Sequence, residues 1–182
     1  MHREALTEAG FKLLPFLAAF DDFYLAGGTA LALQIGHRVS VDFDFFGDGP
    51  IDRMLLPKVK RVFPGISVEP AINNPEELTV FLGTVKLTFV SYPFPIIDPL
   101  VSWDGLRMLS VKEIGATKAY TIGRRGTYKD YVDLYFIIAE HHASLGDIIS
   151  MAEQSSAASL TRGSSPSNCF SWMTFGTTKS IF

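Results

Sequence analysis

Two aspartates stand two residues apart in Ser40-Val-Asp-Phe-Asp-Phe-Phe46. On a β-strand, residues i and i+2 share a face, so Asp42 and Asp44 present their carboxylates side by side. Bare carboxylates that close repel, and one of them tends to hold a proton. A hard divalent cation, Mg²⁺ or Mn²⁺, relieves the repulsion and prefers oxygen ligands. The same ion carries nucleotide phosphates, so the pair is a natural platform for phosphoryl or nucleotidyl transfer. Upstream, Gly27-Gly28-Thr29 allows a close approach of backbone to phosphate, and a helix opening there offers unpaired amides and a positive dipole end. Arg38 and Ser40, just before the pair, can reach further phosphate oxygens. Glycine turn, helix, arginine and aspartates all fall between residues 27 and 44. Each part also has a plainer reading, because glycines commonly end strands and Asp-x-Asp on an edge strand can be a solvated face.

The elements that must position these groups are legible from periodicity. Residues 3–20 carry Leu6, Phe11, Leu14, Leu17 and Ala18 near helical spacing, with Pro15 set to bend or break the helix. A short strand, 23–26, leads into the glycines. A compact helix follows to Ile35, capped by Thr29 and ended by Gly36. Residues 39–46 alternate as a strand, with Val41, Phe43 and Phe45 on one side and Ser40, Asp42, Asp44 and Phe46 on the other. A helix is expected over 51–63, then strands at 66–69, 79–82 and 84–90, the last two joined at Gly83 as a hairpin. Tyr92-Pro-Phe-Pro is a stiff extended link. Helices are expected over 111–123, 128–142 and 145–153. Strands first and helices after predict an α+β order: a small mixed or antiparallel sheet with flanking helices, followed by a helical half. The boundaries expected are a core over 1–108, a helical part packed on it over 109–154, and an atypical tail over 155–182. That tail holds eight serines and no acidic residue, the composition of a flexible segment.

The chain has 182 residues, 47% of them apolar, including 15 phenylalanines, which is ample for one core. Its formal charge of −3 argues against a domain that binds nucleic acid through a global positive field, though not against a local basic groove. A lone cysteine, Cys169, cannot close an intramolecular disulfide and points to a reducing compartment. The polar N-terminus is unlike a secretory signal, and no apolar run is long enough for a membrane span. A cytoplasmic protein with no membrane contact is expected.

Leu25-Ala-Gly-Gly-Thr-Ala-Leu-Ala-Leu33 and Gly36-His-Arg-Val-Ser-Val-Asp-Phe-Asp-Phe-Phe46 together resemble the AbiE-type (AbiEii/AbiGii-like) nucleotidyltransferase toxins of the DNA polymerase β-like superfamily. A second block carries the resemblance further, Glu113-Ile-Gly-Ala-Thr-Lys-Ala-Tyr-Thr-Ile-Gly-Arg-Arg125 followed by Lys129-Asp-Tyr-Val-Asp-Leu-Tyr135. It covers about residues 20–140. It implies a nucleotidyltransferase fold and transfer of a nucleotide from a nucleoside triphosphate to a hydroxyl, in some members the 3′ end of tRNA. It also implies a toxin or phage-defence effector with a cognate antitoxin. Gly27, Gly28 and Thr29 would then hold the triphosphate, Asp42 and Asp44 would bind Mg²⁺, and Lys118 would contact triphosphate or base. Arg38, Ser40, Arg124, Asp130 and Asp133 complete the expected nucleotide site.

The residues themselves leave alternatives open. Lys118 and Arg124 are six apart and fall on different helix faces. Lys118 with Asp130 or Asp133 can be a structural ion pair. Asp130 can cap a helix, and Tyr135 and Phe136 read as core. Many relatives in the superfamily place a third carboxylate on a later strand as general base. Here 85–90 is the matching strand, with Thr88 where the acid would stand. Members of the resembled family often lack that acid and commonly continue with more helices, which the serine-rich tail does not resemble. An alternative function follows: a catalytically degenerate module that binds nucleotide or a partner protein.

Overall fold

The computed structural model describes residues 1–161; side chains at 123–125 and 158–161 and all of residues 162–182 lie outside that description. The chain begins with a 3₁₀ turn, Arg3–Ala5, then helix α1 (Glu8–Leu13) capped by the Thr7 hydroxyl, which accepts from the Gly10 amide. Pro15 does break the expected long helix: Leu14–Ala19 continues as 3₁₀. Strand β1 (Tyr24–Ala26) runs directly into helix α2 (Gly27–Ile35), which Gly36 ends in the left-handed region at φ 70°. Strand β2 (Phe43–Gly47) and helix α3 (Leu55–Val62) follow. Helix α3 starts four residues later than its periodicity suggests. Pro57 lacks an amide hydrogen and belongs in a helix's first turn, which is where this start places it.

Three strands then form a meander, β3 (Val68–Asn73), β4 (Glu77–Leu82) and β5 (Val85–Ser91), all near their expected positions. A second hairpin went unpredicted: β6 (Val101–Trp103) and β7 (Leu106–Met108). Its turn, Asp104-Gly105, has positive φ at both residues, the signature of a two-residue hairpin. Helices α4 (Val111–Arg125), α5 (Tyr128–Ala139) and α6 (Leu145–Thr161) complete the chain. Helix α6 therefore takes in residues 155–161 of the serine-rich segment; the rest of that segment, Cys169 included, lies outside the described residues.

The architecture is α+β with one mixed sheet of seven strands, ordered β3-β4-β5-β2-β1-β7-β6. Strand β2 is the pivot, antiparallel to β1 and parallel to β5. Its alternation divides the sheet. Phe43 and Phe45 join Phe20, Phe63, Leu87 and Phe89 in a fully covered layer, where the Phe89 ring lies 4.9 Å from Phe20 and 5.3 Å from Phe45. Asp44 and Phe46 face the other way, and Phe46 stacks on Tyr92 at 4.4 Å. One face is wholly apolar, and the other sets Asp44 beside the buried Phe46 and Tyr92.

Each aromatic ring in that layer removes a large apolar area from water. Phe89→Ala should lower the unfolding free energy by about 3–5 kcal/mol, the range for a buried phenylalanine truncated to a cavity. Urea unfolding followed by circular dichroism checks this, and a loss under about 1 kcal/mol would show the layer to be loosely packed.

Candidate active site

The glycine turn and the aspartate strand meet because β1 and β2 are hydrogen-bonded neighbours, with Ala26 opposite Asp44. Gly27 has φ +63°, a conformation costly for any residue with a side chain, and a Cβ there would lie 3.1 Å from the Asp44 carboxylate. The glycine turn thus leaves room for the Asp44 carboxylate close beside it. Helix α2 begins at Gly27 itself, with Ala26 as its uncapped entry residue. The expectation that Thr29 caps this helix is corrected: Thr29 lies inside the first turn. Its hydroxyl bonds to the Ser40 hydroxyl at 2.7 Å and donates to the Asp42 carbonyl. Thr29 and Ser40 are both buried, and Ser40 also donates its amide to the Ala5 carbonyl. They fasten the glycine turn to the start of the aspartate strand.

Asp42 lies just before β2, and Asp44 within it. Burial pushes the Asp44 carboxyl up, and the nearby Asp42 charge adds to that; Lys86, Lys118 and a hydrogen bond from Thr88 pull the other way. Thr88 stands directly across from Asp44 on β5, so the strand expected to carry a third acid does lie beside the pair. Thr88 is buried and hydrogen-bonded to Thr79 at 3.3 Å. Two residues earlier, Lys86 brings its Nζ to 4.0 Å from Asp42 Oδ2. Sequence reasoning missed Lys86, although it shares the strand alternation that singled out Thr88. Two carboxylates from one strand are a sufficient protein contribution for Mg²⁺, which commonly takes one or two and completes its shell with phosphate oxygens and water. Among the described residues, no cluster of three His, Cys, Asp or Glu side chains converges to bind a metal.

The helical half contributes a second charged cluster. Asp133 on α5 is wholly buried and accepts from His37 Nε2 at 2.7 Å and from Arg38 through Nε at 2.7 Å and Nη2 at 3.0 Å. Lys118 Nζ on α4 completes it at 2.7 Å, and reaches Asp130 at 2.8 Å. Burial alone would raise the Asp133 carboxyl. The hydrogen bonds from His37 and Arg38 and the charge of Lys118 outweigh it and hold the group well below the usual carboxylate range. Asp130 follows the same logic: burial raises it, while Lys118 and Thr127 lower it further. It also caps α5 through a reciprocal box with Thr127. Gly28 explains its own identity here, since a Cβ would lie 2.0 Å from Arg38 Nη2. The arginine occupies the space that any other residue would fill.

Several expected site residues are thus joined in one structure, but in two groups. Gly27, Asp42 and Asp44 meet where β1 and β2 pair. Gly28, Arg38, Lys118, Asp130 and Asp133 form the second group, tied to the first by Thr29 and Ser40. Arg124 belongs to α4, and its side chain lies outside the described residues. Phe136 is half-buried with its ring 5.5 Å from His37, as a core reading requires, but Tyr135 is 66% exposed, correcting its expected place in the core. The inward face of α5 is carried instead by Asp133 and Ile137, four residues apart.

Removing Asp133 leaves the largely buried Arg38 guanidinium without its carboxylate and Lys118 with Asp130 alone. Asp133→Ala should cost about 3–5 kcal/mol in urea unfolding at pH 7. Because the folded carboxyl is depressed, its contribution is present above the unfolded value of about 3.9 and lost as pH falls below it, a slope that Asp133→Asn removes. Asp44 has the opposite sign: its folded carboxyl is raised, so it opposes folding at neutral pH. Asp44→Asn should raise the melting temperature in metal-free buffer at pH 7, with the gain vanishing below about pH 3.9 where both forms are neutral. An unchanged or lower melting temperature would show that Asp44 is not strained by burial.

Comparison with known proteins follows the same geometry. The chain is 35% identical over 137 residues to uncharacterized protein aq_aa25 of Aquifex aeolicus (strain VF5), covering 72% of this chain and 65% of that protein. It therefore spans about 65% of the length of that curated relative. Its fold is shared with JHP933 of Helicobacter pylori at a TM-score of 0.62 and 22% identity, over 78% of this chain and 72% of that one. It is shared too with the antibiotic-resistance factor ANT(2'')-Ia at 0.54 and 13% identity, over 83% and 94% of the chains. The model of the AbiEii nucleotidyl transferase toxin of type IV toxin–antitoxin systems matches residues 11–168, a span containing both the aspartate pair and the Asp133 cluster, and the chain belongs to that family.

Proposed function

We propose that the protein transfers a nucleotide from a nucleoside triphosphate to a hydroxyl acceptor beside Gly27, Asp42 and Asp44. The observation that carries this reading is the pairing of β1 with β2, which sets the start of helix α2 at Gly27 close beside the Asp44 carboxylate. Asp42 and Asp44 would hold Mg²⁺ or Mn²⁺, which when bound neutralises phosphate charge. The Gly27–Thr29 amides at the start of α2 face the triphosphate with the positive end of the helix. Lys118 adds positive charge toward Asp44 while anchored between Asp130 and Asp133. Arg38, Ser40, Thr29 and Asp133 are positioning residues in this reading, since each is engaged by other protein groups.

In the reaction the acceptor oxygen forms a bond to the α-phosphorus. The bond from that phosphorus to the bridging oxygen breaks, and pyrophosphate leaves. With Thr88 beside Asp44 and no acid in its place, the acceptor proton passes to solvent rather than to a carboxylate. The acceptor is taken to be an RNA end, with the 3′ end of tRNA foremost. An antitoxin partner and a cytoplasmic role in toxin–antitoxin regulation or phage defence accord with the family. No described helix is long and apolar enough to cross a membrane.

Incubation with labelled triphosphates, Mg²⁺ and total tRNA tests the reading. Label should transfer with wild type and fall by at least about 100-fold in Asp42→Ala, the scale of losing a charge-stabilising group at a transfer site. Transfer by neither protein, with triphosphate binding retained in calorimetry, would identify instead a degenerate nucleotide-binding module, the reading that Thr88 favours.

A further inference from the structure

We propose that Lys86 is a built-in cation of the transfer site and stands in for a second divalent ion, so that the site binds a single metal. The inference rests on the reading that Asp42 and Asp44 bind a divalent cation with the triphosphate. Strand β5 runs parallel to β2 with Thr88 level with Asp44. Side chains alternate across a strand, so the residues two places earlier, Lys86 and Asp42, share the same face one level down. The side chains accord with this, with Lys86 Nζ 4.0 Å from Asp42 Oδ2.

Two details separate this from an ordinary cross-strand ion pair. At 4.0 Å the lysine and Asp42 attract without a hydrogen bond, which leaves the ammonium donors available to another acceptor. Its neighbour on β4 is Phe81, which offers no charge to hold it elsewhere. The side chains of Lys86 and Asp42 are 36% and 41% exposed, so both are open to a ligand.

Charge balance gives the arrangement its meaning. Three carboxylates with two divalent cations leave one positive charge to meet the triphosphate. Two carboxylates with one lysine and one divalent cation leave the same single charge. A second divalent ion beside Lys86 would crowd three cations within a few ångströms on only two carboxylates, where like charges repel strongly. Both β5 positions facing the pair are non-acidic, Lys86 and Thr88, so the strand replaces a metal-binding acid with a fixed positive charge. The ammonium is then placed to donate to an oxygen of the phosphate being transferred.

Manganese binding, counted by electron paramagnetic resonance with a non-hydrolysable triphosphate analogue, tests this without relying on turnover. Wild type should bind one Mn²⁺ per protein–analogue complex at saturation. Lys86→Glu, which supplies a third carboxylate, should bind two. Lys86→Met should keep one Mn²⁺ and the wild-type melting temperature while its transfer kcat falls by about 100-fold, with KM for triphosphate changed far less. Two Mn²⁺ in wild type, or one in Lys86→Glu, would overturn the role of Lys86 while leaving the transferase reading intact. No Mn²⁺ in wild type would sink both.

Discussion

Asp133 is a buried carboxylate that three cationic or proton-donating side chains converge on, and the relation between the two halves of the molecule hangs from it. Arg38 and His37 come from the segment joining α2 to β2, and Lys118 from α4. A charge removed from water is tolerated only when fully paired. The helical half therefore has one docking position in which Asp133 is satisfied, and the same position seats Arg38 against Gly28. The glycine turn, the aspartate strand and the later helices are held in register by that requirement. The packing of α4 against α6 and the aromatic contacts of Phe94 with Tyr92 and Tyr120 add area but no comparable selectivity.

The sheet sets a contest between stability and chemistry. On its apolar face, Phe43, Phe45, Leu87 and Phe89 are fully covered. On the other face of the same strands, Asp44 is held where burial opposes its charge, with Lys86, Lys118 and Thr88 as partial relief. Strain of this kind is characteristic of sites that await a ligand, because an arriving cation supplies the missing stabilisation.

Local pattern made much of this legible. Alternation around Asp42 and Asp44 located β2, although the strand begins at Phe43 rather than Val39 and leaves Val39 and Val41 exposed; the glycines marked the join of β1 and α2, and Pro15 broke its helix. The Asp104-Gly105 pair was an available hairpin signal that the short strands beside it concealed. What could not be read was who meets whom across long separations. Arg38 and Asp133 are 95 residues apart, and both look like ligand-binding groups until their mutual bond is seen. Thr29 and Ser40 carry hydroxyls suited to phosphate, yet the fold turns them on each other. Lys86 was hidden for a related reason: its face follows from alternation, but its neighbour follows from the parallel register of β2 with β5, which no local signal specifies.

That parallel pairing has a consequence for how the protein comes into being. The meander β3-β4-β5 can close through short turns, whereas β2 reaches β5 only after the chain between residues 47 and 85 has looped back, and Asp133 arrives later still. During synthesis from the N-terminus, Asp42 and Asp44 emerge well before Lys86, and Lys118 and Asp133 emerge last. The aspartate pair is thus made early and meets its basic neighbours late.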